Sequence, residues 1–242
     1  QILLKKSQTF KTTEFPDLRY LTQAGGKLHA VFINEFINTF PDKDFFIMYG
    51  QTEATARLSY LPSELIKTKT NSIGNAIPGV ELKIVNEKGE EVGTNEEGEL
   101  LAKGENIMLG YFKDNEETSK TIRNGWLYTG DIAKADEDGF IYLMARKKEI
   151  IKVGGKRVSP KEIEEVILSV PEVVDCTIIG IDDEILGEAL QATIVLSANT
   201  DETQMKTIII QKCGKNLATY KVPHNIVFEK SIRMSATGKK II

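Results

Sequence analysis

Cysteine is almost absent from this chain. Cys176 and Cys213 are the only two among 242 residues. Cys176 lies beside an apolar run and Cys213 falls on the apolar side of a helical pattern, which argues against a disulfide framework and for reduced thiols in a cytoplasmic core. Histidine is equally scarce, and neither His29 nor His224 has a Cys, His or carboxylate neighbour at metal-ligand spacing, so a structural zinc site is not expected. There is no excess of positive charge either. With 31 Lys and Arg against 35 Asp and Glu, the net charge is -4, which leaves no field suited to nucleic acid or an anionic membrane. No apolar run reaches the length of a transmembrane segment, and the start lacks the charged-then-apolar pattern of a signal peptide. What is present, 41% hydrophobic and 27% charged residues, suffices for a sizeable core in one large or two smaller domains.

The stretch 125–155 concentrates the polar signals. Gly125-Trp126-Leu127-Tyr128-Thr129-Gly130-Asp131 reads as a polar turn, Asp136-Glu137-Asp138-Gly139 as a hairpin, and Arg146-Lys147-Lys148-Glu149 as a basic joint before Gly154-Gly155. Apolar runs between them place Asp131 and Arg146 at strand ends beside a core. A carboxylate and a guanidinium so placed can grip the hydroxyls and phosphate of a ligand. They can equally be the solvated ends of an ordinary hairpin.

Upstream, Leu18–Thr22 is rich in β-formers, Leu28, Val31, Phe32 and Phe36 recur at helical spacing, and Phe45–Tyr49 is a second strand. A parallel βαβ unit brings the loops after both strands to the carboxyl edge of its sheet, where open α/β sheets form their ligand crevice. Those loops contain Gly25-Gly26 and Gly50-Gln51-Thr52-Glu53. Glycines admit a ligand close to the backbone, and Thr52 and Glu53 suit a phosphate and a hard cation. A plain strand-to-helix turn and a helix entry capped near Thr52 fit the same residues.

Short alternating strands from Ile73 to about Ala145 predict a small β-barrel or sheet subdomain. Past Glu149 a separate α+β unit begins, with a hairpin over Gly154-Gly155 and a helix that opens on the capping pattern Ser159-Pro160-Lys161-Glu162. Strands at Thr177–Ile181, Ala192–Leu196 and Ile226–Phe228 and a helix marked by Met205, Ile208, Ile209 and Cys213 complete it. At the tail, Thr237-Gly238-Lys239 is either a movable point charge suited to phosphate or a frayed, solvated terminus.

Together these residues resemble the adenylate-forming, AMP-binding superfamily. Tyr49-Gly50-Gln51-Thr52-Glu53 is similar to its aromatic-Gly-x-Thr-Glu motif, Gly98-Glu99-Leu100 through Gly110-Tyr111 to its Gly-Glu-Leu…Gly-Tyr motif, and Tyr128-Thr129-Gly130-Asp131 to its Thr-Gly-Asp motif. Arg146-x-Lys148 resembles its interdomain hinge and Thr237-Gly238-Lys239 its terminal Ser/Thr-Gly-Lys. The resemblance implies a partial large-domain α/β subdomain over residues 1–72, a β-barrel subdomain over 73–147 and a mobile α+β domain over 148–242. It implies a cytoplasmic ligase that activates a carboxylic acid with ATP and magnesium as an acyl-adenylate and passes the acyl group to a thiol. Gly25 and Gly26 would line the adenine and acyl pocket, Gly50 and Gln51 would lie against adenine, Thr52 would contact phosphate, and Glu53 would bind Mg2+. Asp131 would bind the ribose hydroxyls, Arg146 the ribose and phosphate, and Lys239 the carboxylate and α-phosphate. Lys148 would be the hinge, and Gly154 and Gly155 would border the thiol channel.

Lys148 at the hinge, Thr237 before Gly238, and Val158–Glu164 resemble the acyl-CoA synthetase branch, which includes enzymes of fatty acid metabolism, and so favour CoA as acceptor. The alternatives are an adenylation domain that loads carrier-protein pantetheine and a catalytically silent relative of the fold. The Ser/Thr-Gly-rich phosphate loop expected well upstream of Gly25 has no counterpart here, so the chain is expected to be the C-terminal half of such a ligase. ATP–pyrophosphate exchange by these 242 residues alone should therefore be negligible, and exchange at the rate of a full-length protein would refute this.

Overall fold

The β-forming run at Tyr20 becomes strand β1 (Tyr20–Gln23), and the apolar run before Gly50 becomes β2 (Asp44–Tyr49). They pair in parallel, with Tyr20 opposite Asp44 and Gln23 opposite Ile47. In this computed structural model, which describes residues 2–26 and 28–232, helices α1 (Ile2–Lys6) and α2 (Gln8–Thr12) precede them and α3 (Ala30–Thr39) crosses between them. α3 buries Phe32, Ile33, Phe36 and Ile37 on one stripe, as an amphipathic helix against a sheet should. Leu28, the first residue of the predicted face, lies ahead of the helix. Phe36 stacks 4.7 Å from Phe45 on β2 and 5.2 Å from Phe40, which in turn meets Phe10 of α2 edge-on at 5.2 Å.

β3 (Ser59–Leu61) returns antiparallel to β2 and pairs on its other edge with β4 (Ser72–Ala76). Then come β5 (Val80–Val85), β6 (Gly98–Gly104), α4 (Asn115–Thr121), β7 (Ile122–Arg123), β8 (Trp126–Ala135) and β9 (Ile141–Arg146). The strands form one path, β1-β2-β3-β4-β9-β8-β6-β5, with β7 on β8. The β-barrel predicted over residues 73–147 is thus an open sheet among the described residues. Closure would need β5 to pair with β4, but β3 and β9 already occupy the two edges of β4.

β4 serves both neighbours by bending at Gly74, where its register on β9 slips. Gly74 has φ +78°, and a Cβ there would stand 1.8 Å from the Tyr60 carbonyl oxygen of β3. The Ser72 hydroxyl ties the bend by accepting the Gly74 N–H at 2.9 Å and donating to the Ile141 carbonyl at 2.8 Å. The predicted polar turn over 125–131 is a strand from Trp126 onward. Only Asn124 and Gly125 turn, both at positive φ, as a two-residue hairpin connection between β7 and β8 requires.

From Lys148 the chain forms a second compact unit, with which the short α1 groups; the first unit is Ser7–Lys147. β10 (Ile151–Val153) and β11 (Lys156–Val158) form the predicted hairpin, with Gly154 and Gly155 at φ +54° and +77°. α5 (Pro160–Leu168), β12 (Val173–Asp183), β13 (Gly187–Leu196), α6 (Glu202–Asn216) and β14 (Asn225–Phe228) follow. β12 lies antiparallel along one edge of β13, and β14 lies parallel to β13.

The capping pattern before α5 does not form a capping box. Ser159 is the N-cap residue but makes no side-chain cap bond, and the Glu162 carboxylate instead takes Lys221 Nζ at 2.6 and 2.7 Å. α6 is capped by Asp201, which accepts the Gln204 N–H, and buries Met205, Ile209 and Cys213; Ile208 is exposed. Among the described residues no helix is long and apolar enough to cross a membrane.

Two glycines separate the steric and conformational parts of this design. Gly89 also has positive φ but open space around its would-be Cβ. Gly89→Ala should cost about 1 kcal/mol from backbone strain alone, whereas Gly74→Ala should cost about 2–4 kcal/mol because the clash with β3 adds to it. Urea unfolding of the two variants checks the ranking.

Candidate functional site

Asp131 lies in the middle of β8 and not at its end, and it is buried, at 5% exposure. Its direction is set by a β-bulge. Between the pairs Glu99–Ile132 and Leu101–Tyr128, β8 spends more residues than β6, and Gly130 takes up the excess at φ +73°. Bulges of this kind re-aim a side chain. The Thr129 hydroxyl fixes the kink by donating to the Leu100 carbonyl at 2.7 Å and accepting the Asp131 N–H at 3.1 Å. The succession Thr-Gly-Asp therefore has a local structural reason for each residue.

Two side chains hold the Asp131 carboxylate. Arg146, the last residue of β9 and directly opposite Asp131 in the ladder, donates Nε–H to Oδ1 at 3.0 Å. The Tyr49 hydroxyl, at the end of β2, donates to Oδ2 at 2.6 Å. The Arg146 side chain is 51% exposed, whereas that of Asp131 is 7% exposed. Tyr49 belongs to the hydrophobic core with Ala54, Leu58, Leu100, Leu127 and Ala133. Burial pushes the Tyr49 phenol well above its ordinary pKa, and the adjacent negative charge of Asp131 pushes it the same way.

The loop after β2 is equally constrained. A Cβ on Gly50 would fall 2.2 Å from the Ala56 carbonyl oxygen, so only glycine permits the fold-back that follows. Thr52–Ala54 form one 3-10 turn, with Gln51 as its N-cap residue, and Thr55 and Ala56 continue at positive φ. The segment after β6 clamps this turn. Asn106 Nδ2 donates to the Ala54 and Arg57 carbonyls at 3.1 and 2.7 Å, the Thr55 hydroxyl donates to the Asn106 carbonyl at 2.8 Å, and Met108 N–H donates to the Glu53 carbonyl at 2.8 Å. Two carbonyl acceptors decide the orientation of the Asn106 amide, and its Oδ1 is left buried without a partner.

The Glu53 side chain accepts the Tyr111 hydroxyl at 2.8 Å, and Tyr111 is itself raised in pKa by burial and then by Glu53. Among the described residues no lysine or arginine bridges Glu53, and no group of three metal-ligating side chains occurs. A lone carboxylate without a cationic partner fits magnesium, which takes one or two carboxylates and completes its shell with phosphate oxygens and water.

Gly25 and Gly26 lie in the exposed loop after β1, on the same sheet edge as Gly50, with no heavy atom within 4 Å of a would-be Cβ and with Gln23 Nε2 bonded to the Gly26 carbonyl. The first unit thus brings Tyr49, Asp131 and Arg146 together, and separately Thr52, Glu53 and Tyr111. In the second unit, Lys148 is exposed on a single 3-10 turn, Lys147–Glu149, and Gly154 donates its N–H to the Leu186 carbonyl at 3.0 Å. Lys239 lies outside the described residues.

Tyr49, Asn106, Tyr111 and Thr129 were not among the candidate residues. Their hydroxyl and amide contacts join positions far apart in the chain: 82 residues separate Tyr49 from Asp131, and 58 separate Glu53 from Tyr111. The available signal was adjacency, since three of the four lie inside the quoted motifs.

A family model described as AMP-binding enzyme matches residues 1–112, and one described as AMP-binding enzyme C-terminal domain matches 162–239. The chain is 34% identical over 241 residues to an oxalate–CoA ligase of Arabidopsis thaliana, covering 99% of this chain and 46% of that protein. It is 37% identical over 191 residues to a 2-succinylbenzoate–CoA ligase of Bacillus mycoides (strain KBAB4), covering 79% and 39%. It thus spans less than half the length of these relatives. Among solved structures, the o-succinylbenzoate CoA synthetase of Bacillus subtilis with an acyl-adenylate intermediate matches at TM-score 0.84 and 28% identity, over 96% of this chain and 48% of that one. The same enzyme with ATP and a magnesium ion matches at 0.82 and 28%, over 96% and 49%.

The clamp on the Glu53 turn yields a local expectation. Asn106→Ala removes two part-buried hydrogen bonds to backbone carbonyls, worth about 1–3 kcal/mol. Hydrogen exchange at the Ala54 and Ala56 amides should accelerate about 10–100-fold while β5 and β6 keep their protection. Uniform acceleration across the unit would mean that Asn106 supports the whole sheet and not the turn.

Proposed function

Since the chain belongs to the AMP-binding enzyme family, we propose that its residues serve an ATP-dependent acid–thiol ligase that forms an acyl-adenylate and then an acyl-CoA. In the first step a carboxylate oxygen attacks the α-phosphorus of ATP, the bond to the bridging oxygen breaks, and pyrophosphate leaves. In the second, the thiol sulfur of CoA attacks the acyl carbon, AMP leaves, and the thiol proton passes to solvent. The observation that carries the proposal is the buried Asp131 carboxylate, aimed by a bulge and gripped by Tyr49 and Arg146, a receptor suited to ribose hydroxyls.

The remaining roles follow from the chemistry of each group. Asp131 accepts from the ribose, and Arg146, whose guanidinium carries five donors in a planar fork, meets the ribose and phosphate oxygens. Gly50 and Gln51 lie against adenine, Gly25 and Gly26 line the adenine and acyl pocket, and the exposed Thr52 hydroxyl meets phosphate. Glu53 would hold Mg2+, which when bound neutralises phosphate charge. Lys239 steadies the oxygens on which charge builds in the transition state, so no side-chain nucleophile is needed. Lys148 stands where the two units divide and is assigned the hinge, with Gly154 and Gly155 on the path of the thiol. Buried, reduced Cys176 and Cys213 support a reducing, cytoplasmic setting.

In a full-length protein, Lys239→Ala should lower ATP–pyrophosphate exchange about 100–1,000-fold. Thioester formation from supplied acyl-adenylate should change by less than about tenfold. Equal losses in both half-reactions would overturn the division of labour. A panel of acids including oxalate and 2-succinylbenzoate, followed by pyrophosphate release, tests the reaction class, and silence with every acid would favour a catalytically silent relative. Acyl transfer to carrier-bound pantetheine but not to CoA would reassign the acceptor.

A further inference from the structure

We propose that the Tyr49 hydroxyl is a positioning group that locks the Asp131 carboxylate into a two-oxygen receptor for a vicinal diol, and so sets the preference for ribose over deoxyribose. This rests on the reading that Asp131 meets the ribose.

A carboxylate offers about four lone-pair sites, two on each oxygen. Tyr49 takes one on Oδ2 and Arg146 one on Oδ1. One site remains on each oxygen, and the rotation of the group is fixed by two bonds from different strands. A vicinal diol presents two O–H donors, one for each remaining site. A freely rotating carboxylate has to be ordered as the ligand binds, at a cost that Tyr49 removes in advance.

The two anchors are unequal. Arg146 is half exposed and its grip is screened by water. The Tyr49–Asp131 bond is dry, with both residues below a tenth exposed, and at 2.6 Å it lies in the short range of charge-assisted bonds. The place of the hydroxyl is dictated by the core: the ring packs among Leu58, Leu100 and Leu127, and Gly50 behind it is pinned against Ala56. Because burial and Asp131 hold the phenol protonated, it donates at every working pH.

The test compares wild type, Tyr49→Phe and Asp131→Asn in a full-length protein, with ATP, 2′-deoxyATP and 3′-deoxyATP in pyrophosphate exchange. Loss of one charge-assisted bond corresponds to about tenfold or more. Tyr49→Phe should raise KM for ATP about tenfold with kcat within about twofold, and raise KM for the deoxy analogues much less, so that the preference for ATP shrinks. A purely structural role would raise KM for all three nucleotides alike, and that result, or no change at all, overturns the proposal. If Asp131→Asn leaves the preference for ATP intact, Asp131 does not meet the ribose and the underlying reading falls with it. If Asp131→Asn abolishes the preference while Tyr49→Phe keeps it, only the positioning role falls. Thermal unfolding checks that Tyr49→Phe folds. If it does not, Tyr49→Phe/Asp131→Asn, which removes the buried carboxylate together with its hydroxyl donor, carries the test: its nucleotide preference should equal that of Asp131→Asn, and a further change overturns the proposal.

Discussion

The backbone of Gly74 lies so close to that of Tyr60 that no side chain fits between them, and this contact allows β4 to face two partners at once. One partner, β3, leads back to β2 and the loop that carries Thr52 and Glu53. The other, β9, ends in Arg146 and delivers β8 with Asp131. Residues more than eighty positions apart are thus set within hydrogen-bond reach by a single bent strand. The rest of the first unit can be understood as packing that keeps this bend: the Ser72 bonds across it, and the core cluster of Tyr49, Leu58, Ile73 and Ile141 around it.

Local signals in the chain were legible where one principle acted alone. Aromatic and β-branched runs located β1 and β2, helical spacing located α3, and the paired glycines located the turn between β10 and β11. Legibility failed where two principles competed. Thr129-Gly130-Asp131 has the composition of a turn, yet the ladders to β6 and β9 hold it as a bulged strand. Ser159 and Glu162 have the spacing of a capping box, yet a lysine 59 residues away claims the carboxylate. Short alternating strands suggested a closed barrel because the edges of β4 cannot be counted from sequence.

For the candidate site, residue types near the sheet edge were visible but their supports were not. A carboxylate beside a basic strand end can be seen in Asp131 and Arg146. The tyrosines that aim the two carboxylates cannot, because a phenol in an apolar run looks like core, and Tyr49 is indeed core as well as support. The two carboxylates share a design: each accepts a neutral hydroxyl from a partly or fully buried tyrosine, which orders it without cancelling its charge.

The amide of Asn106 has a consequence for how this protein can diverge. It serves two backbone carbonyls at once and leaves its own oxygen buried without a partner. Aspartate would turn a carboxylate toward those carbonyls, and a longer amide would have to fit where Asn106 already closes against Gly104. Drift at position 106 is therefore blocked on both sides, by charge and by length. The turn it clamps can vary in sequence only at residues whose side chains point away, so the loop that looks most free on the surface should be among the slowest to change.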